Sequence, residues 1–106
     1  SFPGMERMPE SYLWTDELYE FGEEKVEGLN YLMTIDESYY EVQPAWGDKK
    51  TEGMGDFHPV AWYHEFDGGR SFYTAFGHMP QTYSDNMFLE HIYGGIYWAA
   101  TGKGIE

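Results

Sequence analysis

The feature that most constrains what this chain can fold into is the stretch "HPVAWYHEFDGGRSFYTAFGH", residues 58–78. Two runs rich in Val, Trp, Tyr and Phe flank "DGGR", whose glycines can take positive φ without steric cost. That is the pattern of a tight β-hairpin. By the two-residue period of a strand, Val60, Trp62, His64 and Phe66 share one face of the first run, and Phe72, Thr74, Phe76 and His78 share one face of the second. His58 and His78 then lie near the same end of the hairpin. The second strand breaks at Gly77-His78, so one of only four histidines stands where a strand gives way to a loop.

A helix is predicted downstream. Ser84 or Asp85 supplies its cap, Phe88, Ile92, Ile96 and Ala99 recur with helical spacing, and Gly102 stands at the C-cap. Gly94-Gly95 interrupts it at about 1 kcal/mol per glycine relative to alanine, a loss that a close approach by another backbone would offset. Upstream, "GLNYLMTIDES", residues 28–38, is β-prone and apolar on both faces, which suits a central strand. In "LWTDELYEF" Thr15 or Asp16 is placed to cap a short helical turn that Gly22 ends. Residues 1–11, with two prolines and alternating charges, read as an extended leading segment lying on the surface. "YYEVQPAWGDKKTEGMGD" reads as a long exposed connection.

At 106 residues a single domain is the default, and 42% hydrophobic with 20% aromatic content argues against disorder. Six Lys and Arg against nineteen Asp and Glu give a formal charge of −13, which repels phosphate backbones and anionic lipid. Nucleic acid and membrane surfaces are therefore poor partners. The absence of cysteine excludes disulfides, thiolate nucleophiles and zinc-thiolate sites within these residues. No run of about 18 apolar residues suits a membrane span. The start "SFPGMERMPE" lacks a signal-peptide layout and an initiator Met, which points to trimming from something longer. The compartment stays open, periplasmic or secreted included.

Chemistry concentrates in a few places. Asp16 and Glu17, with Tyr19, combine two carboxylates and a phenol able to grip sugar hydroxyls, act as acid or base, or bind a metal; the same pair also suits an acidic first helical turn. His78, at a strand end, has an imidazole able to exchange protons near neutrality, or simply to hydrogen-bond a turn. His58 precedes Pro59 at a strand entrance, and His64 lies inside that strand beside Glu65. Trp46, in the long connection, is the aromatic best placed to stack on a sugar ring. A divalent metal ion stays open as a cofactor, although no H-x-H or H-E-x-x-H spacing is present. His91, beside the helix stripe, reads as a packing or surface residue. Arg70, at the hairpin tip, reads as meeting solvent or a neighbouring carboxylate. A nucleophile elbow, a Walker loop and G-x-G-x-x-G are all missing, so nucleotide chemistry has no support.

Taken in order, "TDELYEF", "LMTIDES", "GDFHPVAWYHEFDGGRSFYTAFGHMPQTYSD" and "FLEHIYGGIYWAATG" resemble the trehalose-utilisation, or ThuA-like, family. Each piece is weak alone, and their order and spacing carry the resemblance. The family is similar in fold to class I glutamine amidotransferases, so the resemblance implies an α/β three-layer α/β/α sandwich around a mainly parallel sheet. It further implies that residues 1–106 form a single, partial domain, the carboxyl-terminal half of the family unit. An open half-sheet exposes strand edges, so a companion segment or self-association is expected.

The resemblance also implies carbohydrate as the ligand class, and activity on a sugar or oxidised sugar derivative by hydrolysis or isomerisation. His78 falls near the amidotransferase triad histidine and takes the acid/base role, with Glu17 and Asp16 assisting. Tyr19, His58, His64 and Trp46 are candidate substrate contacts. The alternative is a non-catalytic carbohydrate-binding or interaction module of a larger protein.

Overall fold

The computed structural model describes residues 2–22, 25–39 and 53–104. Its elements are β1 (Asn30–Thr34), β2 (Pro59–Phe66), β3 (Gly69–Thr74) and α1 (Asn86–Thr101), with 3₁₀ turns at Glu37–Tyr39 and Pro80–Ser84. The strands form one antiparallel sheet in the order β1-β2-β3. The described residues thus make a small α/β unit, a three-stranded sheet with a helix after it.

The hairpin forms where predicted, but its second strand starts at Gly69 and ends at Thr74, short of the expected break at Gly77-His78. Asp67 and Gly68 both take positive φ, 51° and 79°, and Phe66 faces Gly69 across the turn. A two-residue turn of that hand matches the twist of the strands it joins, and aspartate tolerates the left-handed region better than most residues. The β1 segment differs from its expectation, because the central strand is β2. Among the described residues β1 pairs only with β2, with register shifts on either side of Met33, and none of its side chains is fully buried. Its apolar residues face partial cover on both sides and complete cover on neither.

In α1 the caps hold. The Asp85 carboxylate accepts the Phe88 N–H at 2.9 Å, and Gly102 closes the helix at φ 74°. The Arg70 guanidinium donates to the Ala99 and Ala100 carbonyls at 3.1 and 3.3 Å, so while it stays exposed to solvent it satisfies helix-end acceptors and not a carboxylate. The buried face is rotated from the predicted stripe: Phe88, His91, Gly94 and Gly95 are buried, while Ile96 stays 64% exposed. The glycines cause the rotation. A Cβ on Gly95 would collide with the Phe72 ring, and one on Gly94 with the Gly4 nitrogen and the Pro3 carbonyl.

The start of the leading segment is accordingly folded against the helix, while Glu6, Arg7 and residues 9–11 lie on the surface as expected. It makes turns at Phe2–Met5 and Met5–Met8, and Gly4 is buried against α1. Phe2 stacks on Tyr63 at 4.2 Å and meets Trp98 edge-on at 5.2 Å, which joins segment, sheet and helix in one aromatic cluster. On the opposite sheet face Trp62 stacks on Tyr73 at 4.5 Å, and Phe21 packs edge-on against both.

His91 packs edge-on against Phe72 at 5.2 Å with neither ring nitrogen hydrogen-bonded among the described residues, so it is a packing residue. Burial pushes its imidazole down from 6.5 to about 4. Above pH 6.5 both folded and unfolded chains hold it neutral; as pH falls toward 4 the unfolded chain takes the proton first and stability drops. The expected loss over that window is about 3 kcal/mol. Chemical denaturation from pH 7 to 4.5 checks it, and His91→Leu should flatten the slope.

Candidate functional site

The chain's chemistry gathers at the end of the sheet where β2 begins and β3 finishes. Gly77 has φ 118°, and a Cβ there would lie 2.7 Å from the Tyr83 hydroxyl oxygen, so the loop that follows β3 needs glycine at this point. The Tyr83 hydroxyl donates to the Gly77 carbonyl at 2.8 Å and holds the loop from the other side.

That turn presents two successive N–H groups outward, and Asp16 takes both. Its Oδ2 accepts from Gly77 at 2.8 Å and its Oδ1 from His78 at 3.0 Å. The Trp14 indole N–H and the Glu17 N–H each donate to the same carboxylate at 2.9 Å. Partial burial alone would raise the Asp16 carboxyl, but hydrogen bonds from Trp14, Gly77, His78 and Glu17 outweigh it and hold the group below the usual carboxylate range. The helical turn expected in "LWTDELYEF" is absent for the same reason. A cap would have used this carboxylate locally, and the distant amides of Gly77 and His78 claim it instead.

With Asp16 so anchored, Glu17 turns the other way. Its Oε2 lies 3.4 Å from His78 Nε2, and the two side chains are 48% and 53% exposed. The structure therefore brings Asp16, Glu17 and His78 together, one carboxylate on the backbone and the other beside the imidazole in solvent. A half-exposed carboxylate–imidazole pair can accept a proton from, or return one to, a bound hydroxyl or carbonyl-adjacent carbon.

The family follows from the whole chain. A model described as ThuA, trehalose utilisation, matches residues 1–99. The chain belongs to the ThuA family. No curated protein and no solved structure matches it. ThuA membership supports a role in carbohydrate utilisation and places the chain in the glutamine amidotransferase-like superfamily.

The remaining candidates of this ThuA chain are spread more widely. Tyr19 is half exposed, and its carbonyl accepts from His58 Nε2 at 2.7 Å. His58 is fully buried, its Nδ1 2.7 Å from Glu37 Oε2. His64 sits toward the hairpin tip opposite Ser71, away from the His78 end, with Nδ1 buried and unbonded among the described residues. Trp46 lies outside the described residues. Among the described residues no three His, Asp or Glu side chains are grouped to hold a metal ion.

Sequence reading passed over Glu37, which sits inside the quoted "LMTIDES". Its carboxylate accepts the Met54 and Gly55 N–H groups at 2.7 and 3.0 Å as well as facing His58. Partial burial pulls its carboxyl up, yet these hydrogen bonds and the His58 pairing leave it below the usual range. Asp16 and Glu37, with folded values below 3.8 and 4.5, contribute stability at neutral pH that is lost as pH falls through those lowered values. Acid unfolding followed by circular dichroism should therefore show a further drop as pH falls below these ordinary carboxylate values, which Glu37→Gln removes in part.

Proposed function

We propose that this ThuA chain acts on a sugar or oxidised sugar derivative, with His78 as acid/base and Glu17 assisting, in a hydrolysis or isomerisation. The observation that carries the reading is the 3.4 Å approach of Glu17 Oε2 to His78 Nε2, in solvent, at a loop pinned by Asp16. Asp16 acts by shape: it fixes the Gly77-His78 backbone and leaves its neighbour to face the imidazole. The test is turnover by the purified chain of a panel of free sugars, sugar lactones and keto-sugars, followed by NMR. Conversion of none of them overturns the reading.

A second reading, non-catalytic carbohydrate binding, draws on the outward face of α1, where Tyr93 and Tyr97 stack at 6.4 Å with Tyr93 58% exposed. It expects affinity that survives His78→Ala and falls in Tyr93→Ala.

The resemblance also supports placing these residues as the carboxyl-terminal half of a larger α/β/α sandwich. By the antiparallel register, Arg70, Phe72 and Thr74 turn their N–H and C=O groups to the outer edge of β3, where no fourth strand lies among the described residues. A groove of about 340 Å³ beside that edge is lined by Phe76, Tyr83, Phe88, Ile92 and Ile96. A companion segment adding a strand there, or self-association, would bury both. Native mass spectrometry should show a second polypeptide or a dimer; a stable monomer alone rejects this part.

A further inference from the structure

We propose that His58 is a positioning residue, an internal strut that ties the Tyr19 carbonyl to Glu37 and thereby holds Glu17 beside His78. The inference takes the catalytic pair from the acid–base reading, but its structural content stands apart from it. His58 has no exposed surface, so it acts through other groups and not by touching a ligand.

The stereochemistry of its partners is restrictive. Nε2 faces a backbone carbonyl, which can only accept, at 2.7 Å. Nδ1 faces Glu37 Oε2 at 2.7 Å, and that carboxylate, already accepting two backbone N–H groups, is held in its ionised form. Nε2 therefore donates to the Tyr19 carbonyl, while Nδ1 lies within hydrogen-bond reach of the Glu37 carboxylate. An asparagine or glutamine amide nitrogen can occupy only one of these two positions.

The strut sits where it controls the site. Residues 16–19 are pinned at both ends, by the Asp16 carboxylate on the Gly77 and His78 amides and by the Tyr19 carbonyl on His58. Glu17 lies between the pins. The pins also share a frame: the Ala75 N–H bonds to the Val60 carbonyl at 2.8 Å, which joins the strand leaving His58 to the one arriving at His78. Glu37 anchors the far side, since the Ile35 N–H donates to the His58 carbonyl at 2.8 Å. Freeing the Tyr19 carbonyl removes the pin nearest Glu17 on its C-terminal side, leaving the packing of Phe21 as the next anchor along the chain.

Two amide variants separate the bonds. In His58→Gln the side-chain amide nitrogen reaches the place of Nε2 and keeps the donation to Tyr19; in His58→Asn it takes the place of Nδ1 and keeps only the donation to Glu37. His58→Asn should lose about tenfold of the hydrogen-exchange protection at the Gly77 and His78 amides, as expected for loss of a buried hydrogen bond. It should also lower kcat with KM unchanged, while His58→Gln retains protection and kcat within about threefold. Equal losses in both variants, or full protection in His58→Asn, overturn the proposal.

Should either variant fail to fold, ¹⁵N spectra of the unmodified chain decide: a proton on His58 Nε2 supports the strut, and a bare Nε2 overturns it. If the unmodified chain converts no sugar derivative, the acid–base reading falls, while exchange protection and ring protonation still decide the strut.

Discussion

Turnover of a sugar-derived substrate is expected to fall about 10²- to 10⁴-fold in His78→Ala, the usual contribution of a positioned general acid or base. The fold should barely notice. The His78 side chain is 53% exposed, and its anchoring bond comes from its backbone N–H, which alanine keeps. Surface changes of this kind stay within about 0.5 kcal/mol. Glu17→Gln should lower turnover less, because it removes the charge beside the imidazole and leaves the imidazole in place. Asp16→Asn should act differently again. One amide oxygen cannot accept from both Gly77 and His78 while its nitrogen donates, so melting temperature and turnover fall together. Unchanged turnover in His78→Ala, measured with saturating substrate, would remove the imidazole from the chemistry and favour the binding reading.

The largest loss of stability is expected from Gly94→Ala. Helix propensity alone predicts a gain of about 1 kcal/mol, since glycine inside a helix costs that much relative to alanine. Packing predicts the reverse and wins. The new methyl would enter the space of the Gly4 nitrogen and the Pro3 carbonyl, backbone atoms that cannot rotate away as a side-chain tip can. Overpacking of this kind costs about 1–3 kcal/mol net. For a domain of this size each kcal/mol lowers Tm by roughly 4–8 °C. The control is Gly22→Ala, where nothing lies within 4 Å of the added Cβ. Its melting temperature should hold or rise slightly, because alanine restricts the unfolded chain. A Gly94→Ala chain melting as high as that control would mean the leading segment is not docked on α1.

These expectations show how far the residues alone reach. The hairpin turn was legible because a type I′ turn needs positive φ at two adjacent positions, and Asp67-Gly68 is among the few pairs that accept it. Both ends of α1 were legible for a similar reason, since Asp85 and Gly102 act on backbone groups within four residues of themselves. The face of α1 was not. Apolar spacing pointed through Ile92 and Ile96, whereas the helix turned its two glycines inward because Phe72 and the Gly4 turn could approach closely only there. The segment "LWTDELYEF" misled in the same way, its best local cap being spent on partners 61 and 62 residues away.

Residues read along the chain established the hairpin, the helix with its caps, the acidic character, and the family that the order of its motifs marks. All of these rest on local backbone preferences, on summed charge or on spacing along the chain, none of which needs the fold to be known. Only the tertiary structure decided that Asp16 anchors a loop while Glu17 meets His78, and that His58 is enclosed between Tyr19 and Glu37. Hydrogen bonds between residues 21 to 62 positions apart depend on how the sheet end closes. Two adjacent carboxylates are chemically alike in sequence, and they acquire different roles only when one is desolvated against backbone amides and the other is left in water.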